Sequence, residues 1–234
     1  MTRILQIEAA KIGLTLTDEQ LSRLDAFAEM MLEYNSHTNI TRITGPEDIA
    51  VKHILDSLAV FNYVDIPRNA NLLDVGAGAG FPSVPMAVYR PDISVTQLEA
   101  NGKKTAFLQD AAENLSLNAT VIQERAEQAA HNKRYRESFD FVTARAVAAL
   151  NTLAEYCLPF VREGGKFVAF KAANVKDEMS AAKPALQALG GELEAVHEYE
   201  LPGENGRSLI IVSKIGRTPA AYPRANAKII KRPI

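Results

Sequence analysis

Hydrophobic positions along the first 66 residues recur at helical spacing. Over residues 1–16, Leu5, Ile7, Ile12 and Leu14 mix with charge, and Gly13 reads as a helix stop. Thr17-Asp-Glu-Gln20 is a capping box, and Leu21, Leu24, Ala28 and Met31 then share one helical face, predicting a helix to about Tyr34. Gly45-Pro46-Glu-Asp48 opens a second helix running to about Tyr63. On that helix Val51, Ile54, Leu55, Leu58 and Phe61 form a core face, while His53, Asp56 and Ser57 share another. Residue types leave that second face open between a solvated His–Asp pair and a functional group.

From Asn71 the period changes. Short apolar runs alternate with helical segments: strands at 71–75, 93–98, 119–123, 138–143 and 165–170, and helices at 82–90, 102–116, 126–131, 147–158 and 174–190. Such alternation predicts an α/β fold built on a parallel sheet. Two further strands, 195–201 and 208–214, joined by Pro202-Gly-Glu-Asn-Gly206, read as an appended antiparallel hairpin. Five parallel strands plus that hairpin give the seven-stranded, Rossmann-like arrangement of class I S-adenosylmethionine-dependent methyltransferases. The expected division is a helical cap at 1–66, a methyltransferase domain at 67–215 and a basic tail at 216–234.

The first strand ends in the most informative stretch, Asp74-Val-Gly-Ala-Gly-Ala-Gly-Phe-Pro82. Gly76, Gly78 and Gly80 permit a turn that a Cβ obstructs, and the carboxyl end of such a strand is where nucleotide-like cofactors bind. A dinucleotide fingerprint wants Gly-x-Gly-x-x-Gly, and its last glycine falls on Phe81. Glu99 closes the next strand, where a carboxylate accepts both ribose hydroxyls. Together these favour S-adenosylmethionine over NAD.

Composition narrows the function class. With 47% hydrophobic residues the chain has ample core, and no apolar run reaches the roughly 18 residues that span a bilayer, so a cytoplasmic protein without membrane contact is expected. Cys157 is the sole cysteine, which excludes an internal disulfide. The four histidines lack metal-ligand spacing, so no metal site is expected. The net charge of −2 hides an asymmetry, because no acid follows Glu204 whereas seven cations do, leaving residues 1–204 at −9. A cation-rich end without counter-charge points to an anionic partner, with RNA the natural candidate.

Several stretches jointly resemble one family, the bacterial guanine-N7 methyltransferases of small-subunit ribosomal RNA, known as RsmG and earlier as GidB. They are Tyr34-Asn35 with Asn39-Ile-Thr41, His53-Ile-Leu-Asp-Ser-Leu58, the glycine loop with Phe81-Pro82, Gly102-Lys-Lys104 with Phe107-Leu108, Arg125-Ala-Glu127, Thr143-Ala-Arg-Ala146, Phe170-Lys171, Arg207-Ser-Leu-Ile210 and Tyr222-Pro-Arg224. Ser83 departs from the family's usual glycine, and Glu99 stands where many members carry Asp. The resemblance implies a 16S rRNA substrate within the small subunit, S-adenosylmethionine as donor and a monomer. It implies cofactor contacts from Asp74, Gly76, Gly78, Phe81, Glu99, Ala126, Glu127 and Arg145. Arg145 is the one candidate catalytic residue, by positioning, and it could fork onto the cofactor carboxylate or the guanine. The expected RNA contacts are Lys171, Arg207, Arg224, Lys228 and Lys231, with Phe81, Tyr34 and Tyr222 available for stacking, although packing is the expected role of Tyr34. A noncatalytic RNA-binding or assembly protein, and an NAD(P)-linked oxidoreductase, are the alternatives.

Overall fold

The computed structural model describes residues 1–145, 147–204 and 206–234; Ala146 of the Thr143–Ala146 motif and Asn205 of the hairpin loop lie outside them. Seven strands form one sheet in the order β3-β2-β1-β4-β5-β7-β6. They are β1 (Asn71–Val75), β2 (Ser94–Glu99), β3 (Ala119–Gln123), β4 (Phe139–Arg145), β5 (Val161–Ala172), β6 (Gly191–Tyr199) and β7 (Arg207–Lys214). β1 to β5 pair in parallel, and β7 runs antiparallel to both β5 and β6. The order reverses beside β1, so β1, β2 and β4 deliver their carboxyl ends to one crevice.

Helices cover both faces. α5 (Ser83–Tyr89), α6 (Gly102–Asn114), α7 (Ala126–Ala129), α8 (Leu150–Cys157) and α9 (Lys176–Ala188) follow β1 to β5 in turn. β5 and β6 each begin about four residues earlier than their sequence patterns indicate. Arg162, Glu163 and Gly164 in β5, and Glu192, Leu193 and Glu194 in β6, are exposed, so burial leaves no apolar alternation there to read.

Before the sheet, α1 (Thr2–Lys11) ends ahead of Gly13, whose φ is 77°. α2 (Asp18–Thr38) opens on the capping box: Gln20 N donates to Thr17 Oγ1 at 3.2 Å and Thr17 N to Gln20 Oε1 at 2.9 Å. It runs past Tyr34 to Asn39, which takes the left-handed conformation at φ 51°. The helix expected over 46–63 is segmented into α3 (Pro46–Asp48), a π-helical stretch Ile49–Leu55, α4 (Asp56–Leu58) and a 3-10 turn Ala59–Asn62. These helices share one continuous apolar cluster with the glycine loop: Leu24, Phe27, Ile54 and Leu58 pack with Phe81, Val84, Phe107 and Leu108.

The C-terminal segment is a packed strap. Lys214, 1% exposed, donates through Nζ to Leu158 O at 2.7 Å and to Thr218 Oγ1 at 2.7 Å. Arg136 donates to Thr218 O at 2.8 Å and Tyr222 O at 2.9 Å, and α10 (Asn226–Lys231) buries Ile229 fully. Arg224 forks onto Glu155 of α8, with Nε 2.8 Å from Oε1 and Nη2 2.6 Å from Oε2. The sequence shows no acid near these cations because their counter-charges lie about 70 or more residues away, on other elements.

Candidate cofactor and substrate site

β1 places Asp74 beside Gln97 of β2 and Thr143 of β4 and then turns out at Gly76. Gly76 N and Ala77 N both donate to Leu98 O, at 2.8 and 3.2 Å, which pins the loop against the end of β2. Gly76, Gly78 and Gly80 all have positive φ, of 73°, 60° and 89°. They serve different ends. A Cβ at Gly80 would lie 2.8 Å from Val84 Cγ2 and 3.0 Å from Phe27, so that glycine is required by close packing. A Cβ at Gly78 would meet nothing nearer than Gly76 O at 3.7 Å, so its backbone lies open to a ligand.

Glu99 reaches over this opening. Its Oε2 accepts from Gly78 N at 2.9 Å and its Oε1 from Asn101 N at 2.8 Å. Each oxygen retains a lone pair, and the half-buried carboxylate suits a pair of ligand hydroxyls. Asp74 plays another part. It is fully buried, Thr143 Oγ1 donates to its Oδ1 at 3.1 Å, and burial raises its carboxyl to about 6 with the Ser83 and Thr143 hydroxyls opposing. It therefore braces the strand end beneath the loop. Ser83, where the family usually has glycine, is also fully buried and accepts from Gln97 Nε2 at 2.9 Å. Ala126 and Glu127 open α7 just beyond β3, partly exposed. A polar loop backbone, a strand-end carboxylate and the α7 turn are groups that fit S-adenosylmethionine.

Arg145 ends β4 and points into the helical cap. Its Nη1 donates to Asp56 Oδ2 at 2.9 Å and to Lys52 O at 3.2 Å, and its Nη2 donates to His53 Nδ1 at 3.1 Å. Arginine has no acceptor, so Nδ1 carries the lone pair and Nε2–H donates to Thr41 Oγ1 at 3.0 Å. Burial, then the Arg145 charge, lowers His53 to about 3, keeping it neutral. The His53 ring stacks on Phe81 with centroids 4.3 Å apart, and the Arg145 guanidinium lies 5.2 Å from the same ring. Phe81 is 5% exposed and also packs on Phe27, so this ring is built into the wall.

The sequence patterns thus bring Asp74, Gly76, Gly78, Phe81, Glu99 and Arg145 to one crevice. They missed Thr41 and Tyr199 as its supports, and read His53 with Asp56 as a pair or a functional face without Arg145 as their common partner. The i, i+3 spacing of those two was the available signal; its meaning depended on Arg145, 89 residues beyond Asp56. The expected RNA contacts divide differently. Lys171 is bound to Glu178 at 2.5 Å and Ala148 O at 2.6 Å, Arg207 lies beside Glu204 and Asp56, and Arg224 is bound to Glu155. Lys228 and Lys231 are exposed on α10. Tyr34 packs on Phe107, centroids 5.2 Å apart, and Tyr222 lies under Arg224. Among the described residues no cluster of three or more His, Cys, Asp or Glu side chains has metal-binding geometry, and no helix is long and apolar enough to cross a membrane.

Solved structures share this fold. Fibrillarin, the pre-rRNA processing protein of Methanococcus jannaschii, superposes with a TM-score of 0.54 at 20% identity over 69% of this chain and 74% of its own. A SAM-dependent O-methyltransferase from Thermotoga maritima superposes with 0.52 at 13% identity over 81% and 73%. Sequence relatives are nearer. The ribosomal RNA small subunit methyltransferase G of an Exiguobacterium species is 44% identical over 97% of both chains, and that of Bacillus subtilis is 42% identical over 96% of this chain and 95% of its own. The family model for GidB, rRNA small subunit methyltransferase G, matches residues 20–208, a span containing every element of the crevice, and the chain belongs to that family.

Proposed function

We propose that this protein transfers a methyl group from S-adenosylmethionine to N7 of a guanine in small-subunit ribosomal RNA. One observation carries the reading: an open glycine loop, tied through Gly78 N to the Glu99 carboxylate, sits in a chain related over nearly its full length to enzymes named for that substrate. The N7 position follows from the family resemblance.

The chemistry asks little of side chains. Guanine N7 has an in-plane lone pair and no proton to lose, and the sulfonium donor brings an already activated methyl group. His53 fits that economy, since its Nδ1 lone pair is committed to Arg145 and its low basicity keeps it from acting as a general base. What the residues contribute is alignment and exclusion of water, and alignment of bound reactants is worth roughly 7–11 kcal/mol. Gly78 and Glu99 fix the donor. Arg145 retains Nε–H and one Nη2–H without a protein acceptor among the described residues, and that edge grips a carboxylate or a guanine O6. Lys228 and Lys231 supply salt-sensitive phosphate contacts.

The test is transfer of labelled methyl to small subunits lacking the modification, followed by nucleoside mass analysis. The expected product is 7-methylguanosine. RNA binding indifferent to S-adenosylmethionine, with no transfer, would establish the noncatalytic alternative.

A further inference from the structure

The Arg145 guanidinium is a cation that lies against the Phe81 ring beside the glycine loop, and the reaction moves positive charge onto the acceptor base. A cation left loose there would sample many rotamers and oppose that charge. The structure answers both difficulties with one side chain. Asp56, the first residue of α4, is 4% exposed. Its Oδ2 accepts from Arg145 Nη1 at 2.9 Å, its Oδ1 accepts from the Tyr199 hydroxyl at 2.8 Å, and Arg207 Nε stands 3.8 Å from Oδ1. Three sheet elements, β4, β6 and β7, thus converge on one carboxylate supplied by the helical cap.

We infer that Asp56 is the positioning residue for Arg145: it fixes the guanidinium so that its Nε edge faces the ligand, and it neutralises the cation beside the methyl acceptor. This rests on the reading of the crevice as the methyl-transfer site. The arrangement is specific to a carboxylate. His53 Nδ1 and the Lys52 carbonyl orient the same guanidinium, but both are neutral and cannot cancel its charge. Tyr199 has the matching role towards Asp56. Its hydroxyl stays protonated, because burial and then the Asp56 charge push its pKa up, so it donates to Oδ1 and holds Oδ2 towards Arg145. Lys52, next to His53, is bound to Glu204 at 3.0 Å, so the loop after β6 is drawn onto the same helix.

A double-mutant cycle tests the assignment. Asp56→Asn, Arg145→Gln and the pair are compared for S-adenosylmethionine affinity by calorimetry, single-turnover methyl transfer to undermethylated small subunits, and melting temperature. Asp56→Asn keeps the shape and loses the charge, and it is expected to slow transfer by about tenfold or more. In the Arg145→Gln background the same change is expected to slow transfer no further. Additive losses, or transfer by Asp56→Asn within about twofold of the unaltered protein, would overturn the assignment. A purely structural Asp56 would lower the melting temperature and act equally in both backgrounds. If Asp56→Asn does not fold, Tyr199→Phe, which removes one donor to Asp56, enters the same cycle. If the unaltered protein transfers no methyl group, the methyltransferase reading fails by itself, and coupling between Asp56→Asn and Arg145→Gln in S-adenosylmethionine affinity would still show Asp56 acting through Arg145.

Discussion

The pair formed by Arg224 and Glu155 gives the sharpest test of how the tail is used. Glu155 is 1% exposed and Arg224 16%, and Glu155 accepts the Arg224 backbone N at 2.8 Å besides the two side-chain contacts. Truncation by Arg224→Ala leaves a buried carboxylate with a single backbone donor. Breaking one side of a buried pair in this way costs about 3–5 kcal/mol. For a chain of this length about 2–4 °C of melting temperature is lost per kcal/mol, so the expected fall is on the order of 6–20 °C. Replacing both partners, Glu155→Leu with Arg224→Leu, removes the stranded charge along with the bridge, and stability is expected to return to within about 1 kcal/mol of the unaltered protein or to exceed it. Urea unfolding followed by circular dichroism measures both. An Arg224→Ala variant within about 1 kcal/mol of the unaltered protein, or a double variant as unstable as the single one, would refute the reasoning. The double variant also separates two roles for Arg224. A recovered fold with unchanged affinity for small-subunit RNA at fixed salt marks the arginine as structural, whereas a recovered fold with roughly tenfold weaker binding restores it as a phosphate contact.

Three further outcomes are expected. Because His53 falls from 6.5 to about 3 on folding, the unfolded chain binds the proton first; the stability it confers is complete above pH 6.5 and is lost as pH drops towards 3. Between pH 7.5 and 4.5 the loss from this group is about 2–3 kcal/mol, and His53→Gln should remove that part of the pH dependence; a curve unchanged by the substitution would contradict it. Gly80→Ala should cost about 2–4 kcal/mol in urea unfolding, since the new Cβ meets Val84 and Phe27 at φ 89°, while Gly78→Ala should cost about 1–2 kcal/mol yet weaken S-adenosylmethionine binding. Glu99→Gln, read by calorimetry, should weaken S-adenosylmethionine by about tenfold, because a neutral amide is a poorer acceptor and its NH₂ opposes Gly78 N–H; unchanged affinity would remove Glu99 from the cofactor.

Sequence by itself determined the succession of elements and the chemistry of the loop, because both rest on local physics. Apolar runs of strand length, helical spacing at Leu21, Leu24, Ala28 and Met31, the Thr17 capping box and the alternating glycines state their conformations within a few residues. Glu99 was legible for the same reason, being the polar residue that ends an apolar strand. Local pattern could not supply partners. Seven cations after Glu204 read as an exposed basic face; the fold sets Arg224 against Glu155, and Lys214 against Glu137 and the Leu158 carbonyl. His53 and Asp56 read as one helix face, and only the parallel sheet, by delivering Arg145 to the cap, made them a binding site for a guanidinium. A charge's role depends on what lies within about 4 Å of it, and residues 69 to 143 apart in the chain come that close only when the sheet order brings them together.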